Sequence, residues 1–86
     1  LGLAYRCVEE GGSLRDEAEA LATRLAAGPT RSLGLSKRLL NTTFETDLPT
    51  ALELEAAFQA LATTSPDVVE GMTAFREKRD ARFTGT

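Results

Sequence analysis

The sequence predicts an all-α chain of about four helices. Three observations support this prediction. Apolar residues recur at helical spacing in four successive segments, a typical N-cap residue precedes each segment, and glycine or proline stands near each boundary. We expect a helical region over residues 13–86, with helices at about 13–27, 31–43, 48–63 and 66–79.

The residues before the first helix, 1–12, are predicted to be a lead-in and a turn. The segment LGLAYRCV is short and suits either a strand or an extended lead-in, but the chain offers no second strand for it to join. The paired glycines of EEGGS then predict a turn. The chain starts at Leu1 and its only methionine is Met72, so we expect a chain that is processed, truncated or incomplete at its N terminus.

The first three helices are predicted from their caps. Ser13 suits the N-cap of the first and Thr30 that of the second, and either Thr46 or Asp47 suits the third. Gly34 lies inside the second helix and costs about 1 kcal/mol relative to alanine. Either another backbone approaches it closely or it is a neutral surface position. The third helix is apolar on two sides, which predicts neighbours on both.

The fourth helix is predicted to begin at Ser65 as N-cap and Pro66 as the first helical residue. Its predicted inner face consists of Val68, Val69, Met72 and Phe75. Its last turn is predicted to carry the cations Arg76, Lys78 and Arg79. Cations favour the negative end of a helix dipole, so part of this positive charge has a purely structural explanation.

Composition argues against several classes of function. The net charge is −3, with 13 acidic and 10 basic residues, which is unlike a general nucleic-acid binder. Cys7 is the only cysteine and histidine is absent, so the chain lacks the residues for an internal disulfide, a transition-metal site or histidine catalysis. No apolar run of 18 residues and no signal peptide is present. We therefore expect a cytoplasmic protein without metal, nucleic-acid or membrane partners.

No set of residues in the sequence is a credible catalytic site. Glu53 and Glu55 point to different sides of their helix, whereas Asp67 and Glu70 occupy positions typical of capping acids. The basic residues near the end of the chain allow two interpretations: a solvated helix end, or a phosphate-binding group. In the second, Phe75 lies one turn before Lys78 and supplies an apolar or stacking surface beside the charge.

The segment EGMTAFREKRDARFTG, residues 70–85, resembles the C-terminal motif of the crotonase superfamily, the enoyl-CoA hydratases and isomerases. That motif is E-G-x-x-A-F-x-x-K-R-x-P-x-F, and the matching residues are Glu70, Gly71, Ala74, Phe75, Lys78, Arg79 and Phe83. Ala81 departs from it, at a position where the family often has proline. The upstream stretches are similar too, so the resemblance covers essentially all 86 residues. The ending F-T-G is similar to that of bacterial epoxyphenylacetyl-CoA isomerases of the phenylacetate pathway.

The resemblance implies a division of labour within a longer enzyme. The family's β/α spiral, which supplies the oxyanion-binding N–H groups and the proton-transferring acids, has no counterpart in this sequence. The chain is similar to the helical trimerisation region, which assembles subunits into trimers or hexamers. Carried over from the family motif, Phe75 helps to cover coenzyme A and Lys78 meets one of its phosphates. The substrate would be a coenzyme A thioester, with no prosthetic group.

Two functions follow as hypotheses. In the first, the chain is the C-terminal segment of an enoyl-CoA hydratase/isomerase-family enzyme. It contributes subunit assembly and coenzyme A binding, with no catalytic residues of its own. In the alternative, it is a free-standing all-α protein-interaction module without a ligand.

Overall fold

The computed structural model describes residues 2–86, and Leu1 of the predicted lead-in lies outside the described residues. Four α-helices follow one another in this part of the chain, and they are α1 (Leu14–Ala26), α2 (Thr30–Thr42), α3 (Leu48–Thr63) and α4 (Pro66–Glu77). Residues 2–86 contain no strand, so the predicted all-α class is confirmed. The segment before α1 is irregular and ends in a turn that Gly12 N–H closes onto the Glu9 carbonyl at 2.9 Å.

Three of the helices begin at the caps that the sequence predicts. The Ser13 hydroxyl accepts a hydrogen bond from the Asp16 N–H at 3.2 Å, at the start of α1. The Asp47 carboxylate accepts one from the Thr50 N–H at 2.9 Å, at the start of α3. At the start of α4, the Ser65 hydroxyl accepts a hydrogen bond from the Asp67 N–H at 3.2 Å. Each cap satisfies an N–H that has no partner inside its helix.

The boundary between α1 and α2 differs from the prediction. Thr30 was expected to cap α2, but it is the first residue of the helix, and Pro29 precedes it without any side-chain cap. The helix α1 ends through a right-handed Ala27, and the Gly28 N–H donates to the Leu25 carbonyl at 3.0 Å. This tight turn satisfies the last carbonyls without a left-handed residue.

The end of α4 also differs from the prediction. The helix ends at Glu77 because Lys78 adopts the left-handed conformation, with φ 55° and ψ 42°. The Arg79 N–H then donates to the Ala74 carbonyl at 3.1 Å, which closes the helix end as a left-handed cap does. Lys78 and Arg79 therefore lie beyond the last turn of α4. Residues 80–86, the C-terminal tail, run back toward the first turn of α4.

The helices pack as a thin layer. α2 packs against α3, and α3 against α4. The half-buried apolar side chains of α2 and α3 are Leu35, Leu39, Ala51, Leu54, Phe58 and Ala62. The Arg38 guanidinium lies 5.2 Å from the centroid of the Phe58 ring and links the two helices by a cation–π contact. Ala74 is the one fully buried apolar residue among residues 2–86.

The predicted inner face of α4 is wrong for three of its four residues. Val69, Met72 and Phe75 are 62%, 69% and 87% exposed, and only Val68 is half-buried. The covered face of α4 instead consists of Asp67, Glu70, Gly71 and Ala74, which share one side of the helix at spacings of three and four. The C-terminal tail lies against this face, which leaves the large apolar residues outside.

The surface area shows how open this arrangement is. The chain exposes 7361 Å², whereas a compact monomer of its mass exposes roughly 4,900 Å². Its radius of gyration is 16.2 Å, against about 12 Å for a compact domain of this length. The described helices thus leave roughly 2,400 Å² more surface uncovered than a self-contained domain does.

Candidate functional site

The two residues of the predicted coenzyme A contact lie together at the C-terminal end of α4. The Lys78 N–H donates to the Phe75 carbonyl at 3.2 Å, which joins their backbones. Both side chains are exposed, that of Phe75 to 87%. The alternative interpretation of Phe75 as a core residue is therefore wrong within residues 2–86. What the structure presents here is an aromatic ring and an ammonium group, both accessible to a ligand.

Arg79, which follows Lys78, is bound mainly to other protein groups. Its Nη1 and Nη2 atoms bind Oε1 and Oε2 of Glu70 at 2.7 and 3.0 Å. Its Nε atom binds Oε2 of Glu77 at 2.7 Å, and Nη1 also donates to the Asp80 carbonyl at 3.1 Å. The bond to Glu70 is bidentate, a geometry that a guanidinium and a carboxylate match well. Four of the five N–H donors of Arg79 are thus used within the fold.

Glu70 joins α4 to the tail through two neighbours. Besides Arg79, its Oε1 atom accepts a hydrogen bond from the Arg82 N–H at 2.7 Å. The hydrogen bond from the Arg79 side chain, followed by that from the Arg82 backbone, lowers the pKa of Glu70 to about 2. The hydrogen bonds from Arg79 to Glu70 and then to Glu77 raise the pKa of Arg79 above its ordinary value. Glu70 and Arg79 are therefore both charged at neutral pH, and the ion pair is intact.

Asp67 holds the far end of the tail. It is 2% exposed, and its carboxylate accepts hydrogen bonds from the Thr84 N–H at 2.8 Å, the Thr84 hydroxyl at 3.1 Å and the Gly85 N–H at 2.8 Å. The Thr84 N–H is the largest of the effects that lower the pKa of Asp67. The Ser65 hydroxyl also donates to the Thr86 carbonyl. A buried carboxylate is costly unless it is hydrogen-bonded, and here the tail supplies those bonds.

Three other cations near the end of α4 are not bound to carboxylate side chains as Arg79 is. Among the described residues, Arg76, Lys78 and Arg82 form no ion pair with a carboxylate within 4.0 Å. Lys78 is the one that lies beside the exposed Phe75 ring. An ammonium next to an aromatic surface suits a ligand that carries phosphate close to a planar base.

The roles of Asp67 and Glu70 differ from those that the sequence predicts. Both were interpreted as capping acids of α4, whereas they bind the tail and Arg79. One signal in the sequence was available: positions 67, 70, 71 and 74 form a helix face of acidic and small residues. A face of this kind indicates close packing against a polar segment. Gly71 also faces the tail, since a Cβ built there would be in ordinary van der Waals contact with the Phe83 ring, at 3.5 Å.

Other kinds of site are not seen in the part of the chain that the structure describes. No cluster of three or more cysteine or acidic side chains is placed to hold a metal ion there. None of the helices α1–α4 has the length and apolar character that crossing a membrane requires. The Cys7 thiol is exposed and unpaired.

Comparison with protein families and known proteins gives a consistent result. The family model described as enoyl-CoA hydratase/isomerase matches residues 1–86. The chain is 42% identical over 84 residues to 1,2-epoxyphenylacetyl-CoA isomerase of Escherichia coli K12, which covers 98% of this chain and 32% of that protein. It is 35% identical over 83 residues to crotonyl-CoA hydratase of Syntrophomonas wolfei, covering 96% of this chain and 32% of that protein. The chain thus spans about a third of the length of these curated relatives.

Solved structures share the arrangement of helices. Enoyl-CoA hydratase subunit I from Geobacillus kaustophilus superposes with a TM-score of 0.81 and 37% identity, over 85% of this chain and 28% of that one. A second enoyl-CoA hydratase from the same organism gives a TM-score of 0.80 and 30% identity, over 84% of this chain and 27% of that one. The helices therefore adopt an arrangement that also occurs within larger proteins.

Proposed function

The chain belongs to the enoyl-CoA hydratase/isomerase family, and from this membership we propose that it is the C-terminal helical segment of an enzyme that acts on acyl-CoA thioesters. Its contributions are coenzyme A binding and subunit assembly, with no catalytic residue of its own and no prosthetic group. This proposal is supported by length, since the chain spans about a third of the length of the relatives named above, so most of their residues have no counterpart in it.

Coenzyme A binding is assigned to Lys78 and Phe75. The observation that carries this assignment is an exposed, unpaired ammonium three residues from an exposed aromatic ring. The relatives named above act, by their names, on coenzyme A thioesters. Binding energy from the nucleotide end of such a substrate can hold its acyl group at a distant reaction centre. A cation far from the chemistry is therefore useful to the enzyme.

Subunit assembly is assigned to the uncovered apolar surface. The excess of roughly 2,400 Å² is about three times the 800 Å² that one partner contributes to a standard interface. The exposed large apolar side chains on α2, α3 and α4 are Leu33, Leu40, Leu48, Leu52, Leu61, Val69, Met72 and Phe75. One ordinary interface would not cover this surface. We infer that both the remainder of the enzyme and neighbouring subunits, in a trimer or hexamer, lie against it.

The free-standing interaction module is less well supported as an alternative. Such a module must hold itself together, but Ala74 is the one fully buried apolar residue within residues 2–86. A small domain normally buries about 60% of the surface that its unfolded chain exposes. With 7361 Å² exposed, these helices bury only about 45% of it. This shortfall in buried surface favours a segment whose fold is completed by contacts with other parts of a larger protein.

The coenzyme A contact is tested by Lys78→Ala in the full-length enzyme that contains this chain. Calorimetry would give the Kd for free coenzyme A and for pantetheine, which lacks the nucleotide. We expect Lys78→Ala to weaken coenzyme A about tenfold, as the loss of one charge-assisted hydrogen bond does, and to leave pantetheine unchanged. Lys37→Ala, at an exposed lysine of α2, is the matched control. Equal losses for both ligands, or no loss for coenzyme A, would contradict the assignment.

A further inference from the structure

Lys78 occupies a position that favours a different amino acid. Its φ of 55° puts it in the left-handed region, where glycine is the usual residue at the end of a helix. A strained residue at a candidate site points to a functional reason for its side chain. We propose that Glu70 and Arg79 are positioning residues, which hold Lys78 in this conformation so that its ammonium meets a coenzyme A phosphate. The inference rests on the proposed function, specifically on the contact of Lys78 with coenzyme A.

The backbone on both sides of Lys78 is fixed to α4. Its own N–H donates to the Phe75 carbonyl at 3.2 Å, and the N–H of Arg79 donates to the Ala74 carbonyl at 3.1 Å. These two bonds define the turn, but they do not hold the residues after Arg79 against α4. A further attachment beyond Lys78 is therefore needed to fix the direction of the Lys78 side chain.

Glu70 supplies that attachment twice. Its carboxylate binds the Arg79 side chain through both oxygens and accepts the Arg82 N–H at 2.7 Å. The residues one and four positions after Lys78 are thus joined to one side chain in the middle of α4. The pair is also partly shielded, with side chains 39% and 24% exposed, whereas the Arg15–Glu19 pair on α1 is 86% and 64% exposed. Shielding makes the Glu70–Arg79 pair the more effective constraint.

The ion pair also keeps the Lys78 ammonium available. Because Arg79 neutralises Glu70, this carboxylate exerts little net attraction on the neighbouring ammonium. Four of the five N–H donors of Arg79 are bound to Glu70, Glu77 and the Asp80 carbonyl, so most of its hydrogen-bonding capacity is used within the fold and Lys78 is the principal cation for the phosphate. Removing Glu70 would detach the residues that follow Lys78, so the direction of its ammonium would no longer be fixed.

The first test compares Glu70→Gln with Glu19→Gln in the full-length enzyme. Both substitutions remove one negative charge and one ion pair, but Glu19 lies on α1, in the exposed pair with Arg15. We expect Glu70→Gln to weaken free coenzyme A about 2- to 10-fold, within the usual coupling range of neighbouring residues, with pantetheine unchanged. Glu19→Gln should change neither. A purely structural role of Glu70 would instead affect both ligands alike, and that result would overturn the inference.

The second test combines Glu70→Gln with Lys78→Ala. If Glu70 acts through Lys78, adding Glu70→Gln to Lys78→Ala produces no further loss of coenzyme A affinity. Multiplicative losses would overturn the inference and leave the Lys78 contact standing. A Lys78→Ala variant with unchanged affinity would overturn the contact and the inference together. Arg79→Lys keeps the positive charge but loses the bidentate geometry, so it should weaken coenzyme A binding as Glu70→Gln does. It therefore provides a second test of the inference should Glu70→Gln fold poorly.

Discussion

Arg79 binds both carboxylate oxygens of Glu70, nine residues earlier in the chain, at 2.7 and 3.0 Å. This pair divides the residues of the family motif into two groups. One group holds the turn after α4 and the tail behind it, and consists of Glu70, Gly71, Ala74, Arg79 and Phe83. The other group, Phe75 and Lys78, is exposed. The motif therefore describes a scaffold together with the two side chains that it presents.

The tail should detach when Asp67 loses its charge. Asp67→Asn removes a carboxylate that accepts bonds from the Thr84 N–H and hydroxyl and from the Gly85 N–H. An amide has one acceptor oxygen and adds donors that find no acceptor among these groups. We expect amide hydrogen exchange at Thr84 and Gly85 to accelerate by at least about tenfold, as buried hydrogen bonds are lost. Asp80→Asn, at an exposed position, should leave these amides protected, and unchanged exchange in Asp67→Asn would contradict the assignment.

The Glu70 pair should persist to low pH. Its folded-state pKa of about 2 lies below the ordinary value of 4.5. A lowered pKa stabilises the folded form fully above pH 4.5, and this stabilisation is lost as the pH falls towards 2. A carboxyl-carbon NMR titration should therefore show Glu70 ionised throughout the range above pH 4. In Arg79→Gln, we expect the midpoint to return towards the ordinary value. A wild-type midpoint near that value would show that the pair does not form in solution.

The sequence predicted those parts of the fold that depend on nearby residues. Ser13, Asp47 and Ser65 cap their helices because an N-cap bond reaches only two or three residues along the chain. It failed at the end of α4, where glycine is usual and Lys78 occurs instead. No local pattern predicts a left-handed lysine, because glycine is the residue that this conformation normally selects.

Sequence also failed to identify which face of α4 is covered. Periodicity assigns large apolar residues to the inside, and Met72 and Phe75 met that criterion. The covered face instead contains Asp67 and Glu70, which bind the tail 12 to 18 positions later in the chain. Apolar periodicity cannot distinguish a core face from a face meant for another subunit or domain. The candidate site residues Phe75 and Lys78 were identified from the family motif and not from apolar periodicity.

Gly34, inside α2, and Gly28, in the turn between α1 and α2, should respond to alanine in opposite ways. A Cβ at Gly34, inside α2, would have no atom within 4 Å. Of the two alternatives for Gly34, a close approach by another backbone is therefore wrong within residues 2–86, and a neutral surface position fits. Gly34→Ala should raise the free energy of unfolding by about 1 kcal/mol through helix propensity. A Cβ at Gly28 would lie 3.1 Å from both the Leu25 carbonyl oxygen and Leu33 Cδ1, so Gly28→Ala should lower stability. Chemical denaturation of both variants would check the contrast.

Replacing Lys78 by glycine should separate stability from binding. Glycine takes the left-handed conformation without the penalty of about 1 kcal/mol that a side chain incurs, so Lys78→Gly should raise the unfolding free energy by about that amount. The same change removes the ammonium, so the affinity for free coenzyme A should fall as it does in Lys78→Ala. Denaturation and calorimetry on one preparation would measure both. A variant that is less stable than wild type would show that the lysine side chain also supports the fold.

The isolated 86-residue chain should associate with itself. Phe44, Phe75 and Met72 are 99%, 87% and 69% exposed, and the total exposed area exceeds that of a compact monomer by roughly 2,400 Å². A monomer rarely leaves a contiguous apolar patch larger than a few hundred Å² in water, because burying apolar surface gains about 25 cal/mol per Å². Sedimentation velocity across a concentration series should therefore show oligomers, with circular dichroism verifying that the helices persist. Met72→Gln should shift the series towards monomer because it makes the outer face of α4 polar. Glu55→Gln, at an exposed position of α3, serves as the control and should not. A helical chain that stays monomeric at the highest concentration would contradict the role of this surface in assembly.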